Sequence, residues 1–207
     1  MNALFRSVRH NLRGLARFSG RDANILFWPW VAVLIAATTL AAAAATLTVL
    51  GDTLARMQRF AAAHPDQTEV VSTPTSYRLT IHGNHPELMP AFDPFFHAMA
   101  AITAALVLLL AASVTRRLHD TGRSGAWGLL PLPFLAFAFT AFPRVMDSFR
   151  AAQATQTQPA MGLFGLLFLN NALYMAALIA LVLLLARRGT PGPNRYGEAD
   201  TSGSTTA

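Results

Sequence analysis

The sequence predicts an all-α membrane protein with four transmembrane helices and an amino-terminal amphipathic helix at the membrane surface. Of the 207 residues, 53% are hydrophobic and 13% are charged, whereas a soluble domain carries about 25% charged residues. Four segments are long and apolar enough to cross about 30 Å of hydrocarbon. Their apolar residues do not alternate with polar ones, as those of barrel strands do, so these segments are predicted to be helices.

The leader, residues 1–24, is predicted to be a basic amphipathic helix that lies in the headgroup layer. At about 100° per residue, its apolar side chains share one arc and its cations share the opposite arc. The apolar arc holds Leu4, Phe5, Val8, Leu12, Leu15 and Phe18, and the cationic arc holds Arg6, Arg9, His10, Arg13 and Arg17. A helix that binds nucleic acid or another protein is the alternative. Because apolar spans follow, we favour the phospholipid bilayer as the partner and exclude nucleic acid.

The four predicted spans cover residues 25–50, 95–115, 126–142 and 161–186. A cleaved signal peptide is the alternative for the first span, but its apolar stretch is far longer than the roughly 7–15 residues of a signal peptide and follows a basic leader of 24 residues, so we predict a retained helix. The third is the shortest and contains Pro131 and Pro133, which predict a kink, a late start of the helix or a re-entrant segment. None contains an internal Asp, Glu, Arg or Lys, which argues against an ion-coupled transporter. Asn170, Asn171 and Thr103 are predicted to form hydrogen bonds between helices.

The arginines predict the orientation of the spans. Eleven of the sixteen lie in the leader, in the segment between spans two and three, and in the tail 187–207; five lie in the two other loops. Since cytoplasmic loops carry the excess of basic residues, both termini are predicted to be cytoplasmic. The end of the tail is predicted to be disordered.

The loop 51–94 is predicted to lie on the outer face and to contain a small hairpin. The segment SYRLTIHG alternates apolar and polar residues like a strand, and TEVVST is its predicted partner. The four histidines of this part of the chain match no metal motif, so no metal site and no cofactor are predicted. These histidines are His64, His82, His85 and His97. The chain has no cysteine, which excludes disulfides and zinc thiolates.

The segment RRLHDTGRSGAWG, Arg116–Gly128, is polar although it joins two apolar spans. In one interpretation the segment is a turn. Its arginines end one helix, Asp120 and Thr121 cap a helix end, and Gly122 and Gly125 allow left-handed turns. Alternatively, the segment is an anion site in which Arg116, Arg117, His119 and Arg123 surround a phosphate and Asp120 orients a guanidinium group. The residues Gly122–Gly125, which include Ser124, come just before a helix start, where free N–H groups bind anions. The pair His119–Asp120 also occurs as a metal dyad in phosphohydrolases, but it lacks further ligands here, so no catalytic residue is predicted.

Three segments resemble one family. FSGRDANILFWPW (Phe18–Trp30), RRLHDTGRSGAW (Arg116–Trp127) and GTPGPNRYG (Gly189–Gly197) are similar, in this order, to blocks of domain-of-unknown-function family 805, small bacterial inner-membrane proteins of the YhaH and YhaI type. The resemblance covers the chain except the outer loop. It implies a polytopic inner-membrane protein and assigns no activity.

The resemblance and the charge count together place three polar blocks on the cytoplasmic side. They are Gly20–Arg21, the segment from Arg116, and Asn194–Arg195–Tyr196. We expect one polar cap in which Arg21 and Arg195 face Asp120 or share an anion with Arg123. This cap is either structural or binds an anionic lipid headgroup or phosphate. A small-solute transporter, a membrane enzyme acting on a phosphorylated compound, a homo-oligomer and an unidentified membrane partner stay open as alternatives.

Overall fold

The computed structural model describes residues 3–83, 85–90, 92–155, 157–158 and 161–198, and its architecture is helical. The helices are α1 Ala3–Arg13, α2 Asn24–Ala63, α3 Phe92–Asp120, α4 Leu132–Thr155 and α5 Met161–Ala186. Two strands, β1 Thr68–Thr73 and β2 Ser76–Ile81, lie between α2 and α3. Short 3-10 turns occupy Pro65–Gln67, Pro86–Leu88 and Gly125–Leu129.

Within the described residues, four helical segments are long and apolar enough to cross a membrane, which confirms the predicted number of spans. The fourth coincides with the prediction, but α2 and α3 extend beyond their predicted spans to Ala63 and Asp120. Hydropathy reports the apolar stretch, whereas the helix continues through residues such as Ala, Arg, Met and Gln that favour helix. With 40 residues, α2 is about 60 Å long, about twice the hydrocarbon thickness.

The third span begins late, as its prolines predict. A 3-10 turn, Gly125–Leu129, comes first, and α4 starts only at Leu132, directly after Pro131. Pro133 lies in the first turn of α4, where the N–H that proline lacks has no partner inside the helix. The helix then passes Pro143 and ends at Thr155, well beyond the predicted limit at residue 142.

The leader differs from the prediction of one helix over residues 1–24. The helix α1 ends at Arg13, and Gly14 closes it with hydrogen bonds from its amide to the carbonyls of His10 and Asn11. A turn with Gly20 at φ 93° then leads into α2, a conformation that glycine adopts without strain. Leu15 and Phe18 therefore lie outside the helix. The end of the tail, for which disorder is predicted, lies outside the described residues.

Residues 39–102 form one of two compact units. Its β-hairpin confirms the predicted pairing: Thr68 lies opposite Ile81 and Thr73 opposite Ser76 in an antiparallel register. His85 lies 3.0 Å from a carboxylate oxygen of Glu87. Within the described ranges, no group of three His, Asp or Glu side chains is placed to hold a metal ion.

The other unit comprises the chain up to Thr38 and from Thr103 onward. Its apolar core is small and joins the start of α2 to the ends of α3 and α5, through Phe27, Leu118, Leu181 and Leu185. Further along, the Nδ2 of Asn170 in α5 donates to the carbonyl of Phe134 in α4 over 3.0 Å. This contact confirms the predicted interhelical hydrogen bond at Asn170, whereas Asn171 is exposed.

Replacing Asn170 with leucine should lower the free energy of unfolding by about 0.5–2 kcal/mol, the usual range of an interhelical hydrogen bond in a membrane. SDS titration of the purified protein in mixed micelles measures the loss. Asn171→Leu is the matched control, because the neighbouring exposed side chain should tolerate the change. Equal losses in both variants would contradict the structural role of the Asn170 contact.

Candidate functional site

Asp120, the last residue of α3, binds two arginines. The Nε of Arg21 donates to Oδ1 over 3.0 Å, and Nη1 of Arg117 donates to Oδ2. All three side chains are buried. A carboxylate that faces one guanidinium on each oxygen offsets much of the cost of removing these charges from water.

Asp22, in the turn before α2, forms a second buried pair. Its Oδ2 accepts from Nε of Arg116 over 2.8 Å, and its Oδ1 lies 2.9 Å from Nε2 of the half-exposed His10. The Asp22 side chain is 1% exposed and that of Arg116 is 3% exposed. We call Arg21, Arg116, Arg117, Asp22 and Asp120 the arginine core.

Four further hydrogen bonds of Arg116 and Arg117 go to carbonyls near the carboxyl ends of α1 and α5. Arg116 donates to the carbonyls of Gly14 (2.7 Å) and Arg17 (2.5 Å), just after α1. Arg117 donates to the carbonyls of Leu185 (2.9 Å) and Arg187, where α5 ends. The last carbonyls of a helix lack partners and carry partial negative charge, so a guanidinium there satisfies them and is itself stabilised.

Arg21 binds the tail in the same way. Its Nη2 and Nη1 donate to the carbonyls of Thr190 (2.6 Å) and Gly192 (2.7 Å). Gly189 packs directly against the Asp120 carboxylate, where a Cβ would overlap the side-chain oxygens. The tail is therefore held at the end of α3 by the hydrogen bonds of Arg21 and by the packing of Gly189 against Asp120.

The family block around Asn194 also lies on the end of α3. The rings of His119 and Tyr196 stack with centroids 3.8 Å apart, and Nδ2 of Asn194 donates to the carbonyl of His119 over 3.0 Å. Arg195 does not bind Asp120. Its guanidinium lies over the Tyr196 ring, 4.7 Å from the centroid, and reaches the carbonyl of Gly122.

Gly122 and Gly125, both in the 116–128 segment, have different structural roles. Gly122 has φ 76°, which confirms a left-handed turn. Gly125 does not have a positive φ; a Cβ there would lie 2.5 Å from Cγ2 of Thr115, so close packing requires the glycine. The hydroxyl of Ser124 accepts from the amide of Ala126, which caps a 3-10 turn of five residues.

The expected phosphate site of Arg116, Arg117, His119 and Arg123 is not assembled in this geometry. Four hydrogen bonds each direct Arg116 and Arg117 to acceptors within the protein. His119 is covered by Tyr196. Arg123 alone of these four forms no side-chain hydrogen bond or ion pair within the described residues. The segment thus supplies structural contacts, and an external anion finds few free donors there.

Sequence reasoning missed Ser7, Asn11 and Asp22. Ser7 Oγ and Asn11 Nδ2 both donate to the carbonyl of Leu26, over 2.5 and 3.0 Å, and both side chains are buried. Two signals were present. Ser7, Asn11 and Gly14 follow a spacing of four and three residues, which marks one face of a helix. Asp22 is the only acid among the five arginines of the leader.

A cleft of about 850 Å³ opens beside α1. Its lining includes Arg6, Arg9, Arg13, Arg17, Ser19 and Glu198, and we call it the arginine cleft. Within the described residues, the four arginine side chains form no hydrogen bond or ion pair. The Nε of Arg6 is buried without an acceptor. The unit therefore contains one set of arginines with protein partners and a second set without them.

Comparison with known proteins gives one match. The sequence model of a protein family of unknown function, DUF805, matches residues 15–198. The chain belongs to the DUF805 family. The match covers the arginine core of this DUF805 protein and leaves out α1. No curated protein and no solved structure matches the chain.

Replacing Asp120 with asparagine should lower the free energy of unfolding by about 3–5 kcal/mol, because two buried guanidinium groups lose their counter-ion. SDS titration measures the change. The control is Asp147→Asn, which breaks the exposed pair of Asp147 and Arg150 and should cost at most about 1 kcal/mol. A small loss at Asp120, similar to that at Asp147, would show that the buried pairs do not stabilise the fold.

Proposed function

We propose that this multi-pass membrane protein resides in the bacterial inner membrane with both termini in the cytoplasm, and that it presents α1 to the anionic surface of that membrane. In this proposal the arginine core is a structural cap. It ties α1, the ends of α3 and α5 and the tail together on the cytoplasmic side. The distribution of arginines along the chain supports the orientation, since eleven of sixteen lie in the leader, in the segment between spans two and three, and in the tail.

The observation that carries the proposal is the face by which α1 docks. Ser7 and Asn11 bind the first turn of α2, and the apolar arc points away from the protein: Leu4 is 51% exposed, Phe5 57% and Leu12 51%. An amphipathic helix uses such an arc to enter the boundary between headgroups and acyl chains. Because α1 lies next to the start of an apolar span, the bilayer is the partner whose chemistry fits this face.

The basic arc fits the same partner. Arg9 and Arg13 lie on α1 beside the apolar arc and have no acceptor among the described residues. Phospholipid phosphates at an anionic surface attract such side chains, each contributing about 1 kcal/mol. The proposal thus assigns the apolar arc to the acyl boundary, the basic arc to the phosphates, and the Ser7–Asn11 face to the protein.

Fusions of a reporter after Arg78, Gly122 and Ala207 test the orientation. A reporter that is active only outside should be active after Arg78 alone, and one that is active only inside should be active after Gly122 and Ala207. The charge excess at the second and third positions is the physical reason. An external signal from the Gly122 fusion would overturn the proposed topology.

Two single-cysteine variants test the position of α1, since the chain has no cysteine of its own. A fluorophore at Phe5→Cys should lie about 5–10 Å below the headgroup surface and be quenched by lipids with a quencher on the acyl chain. The same fluorophore at Arg9→Cys, on the basic arc, should be quenched from water. The full chain is measured in nanodiscs that contain phosphatidylglycerol. Equal access of both labels to the aqueous quencher would contradict a helix in the interface.

A further inference from the structure

We propose that the arginine cleft is a binding site for one phosphate ester, either the headgroup of an anionic lipid or a soluble phosphorylated compound. This inference deepens the proposed function, because it assigns a defined ligand chemistry to the basic arc of α1. It moves anion binding away from the 116–128 segment, where Arg116 and Arg117 are bound by the protein. The new site uses the arginines of the cleft, which have no acceptor within the described residues.

The first argument is the supply of donors. Arg6, Arg9, Arg13 and Arg17 line one cleft and have no acceptor within the described part of the chain. The Nε of Arg6 is also shielded from solvent. A buried donor without an acceptor destabilises the protein, and a ligand that carries oxygen atoms removes this cost. Several guanidinium groups around one cavity are the usual arrangement for a phosphate, because each planar fork can donate two hydrogen bonds.

The second argument is the lack of competing acids. Two acids line the cleft, Asp22 and Glu198. Asp22 is engaged on both oxygens, by Arg116 and His10. Glu198 is exposed and forms no ion pair with the cleft arginines in the described structure. The positive charge of the four arginines therefore stays available for a ligand from outside the chain.

The third argument is size. About 850 Å³ is within the range of about 300–1,000 Å³ that small-molecule sites occupy. This volume is large for a bare phosphate ion and suits a phosphate with an organic group attached. Leu26, at the start of α2, adds an apolar part to the lining. Both a lipid headgroup and a small phosphate ester have this combination of an anion and an organic group.

Arg56 shows that a buried Nε alone does not define such a site. Its Nε also lacks an acceptor, but its Nη2 donates to Thr53 and to the carbonyl of Met89, both 3.3 Å away. The guanidinium of Arg6 has no such contact among the described residues, and three further unpartnered arginines share its cleft. Arg56 is therefore the matched control for the removal of an arginine.

Protection of a cysteine in the cleft tests the proposal. Ser19→Cys places one thiol in the cleft lining, and Ser124→Cys places one at an exposed position outside it. Each full-length variant is placed in phosphatidylcholine nanodiscs and modified with the neutral reagent iodoacetamide. Glycerol 3-phosphate is added to one sample, and phosphatidylglycerol is included in the discs of another. We expect one of these additions to slow the modification at position 19 and neither to slow it at position 124.

The two sources of the phosphate are distinguished by which addition protects. Protection by glycerol 3-phosphate in neutral discs assigns a soluble ester, and protection by phosphatidylglycerol alone assigns a lipid headgroup. Arg6→Ala in the Ser19→Cys background should weaken the protection at least about tenfold in ligand concentration, and Arg56→Ala should leave it unchanged. Arg6→Lys keeps the charge but loses the fork, so its protection should be intermediate.

Three results would overturn the inference: no protection by either addition, equal protection at positions 19 and 124, or full protection in Arg6→Lys. The last result would show that diffuse charge attracts the anion without a defined site. The thermal unfolding midpoint of each variant shows whether it has folded. The outcome is independent of the depth of α1, since the fluorophore at Phe5→Cys can report a helix in the interface whether or not the cleft binds a phosphate.

Discussion

Each guanidinium group of the arginine core donates to carbonyls near the end of a helix or in the tail. Arg116 does so after α1, Arg117 after α5, and Arg21 in the tail. The two aspartates supply the counter-charge. Because the three guanidinium groups donate to three different segments, these segments are fixed to each other through one cluster. The loss of one aspartate would leave buried charge uncompensated, so the cluster stabilises the unit only as a whole.

The position of α1 follows from this cluster. Arg116 holds the carbonyl end of α1, and Ser7 and Asn11 hold its side against Leu26. A helix fixed on one narrow face has two other faces free, and the sequence makes one apolar and the other basic. The basic face then borders the arginine cleft. The arginines of this unit thus form two groups: those of the arginine core donate to carbonyls of the protein, and those of the arginine cleft have no acceptor among the described residues.

The sequence predicted the spans well because hydropathy and chain length are sufficient to identify a membrane helix. The family resemblance located the polar blocks that the structure brings together at the end of α3. The sequence could not predict which arginines bind acceptors of the protein and which do not, since this depends on which carbonyls lie nearby in the folded chain. The leader illustrates the same limit. A two-sided pattern of apolar and cationic residues predicted two faces, but Ser7, Asn11 and Gly14 form a third face, and that face contacts the protein.

The membrane explains why the decisive contacts are polar. Lipid tails are as apolar as leucine, so apolar packing between spans gains little over contact with lipid. Correspondingly, only 6% to 17% of the most apolar part of each span is buried within the protein. Among the described residues, the apolar core cluster contains four buried side chains. Hydrogen bonds to charged groups retain their strength where water is scarce, because an unpaired group has no alternative partner there. A small set of ion pairs and carbonyl contacts at the ends of the spans can therefore determine an arrangement that the apolar residues alone leave undetermined.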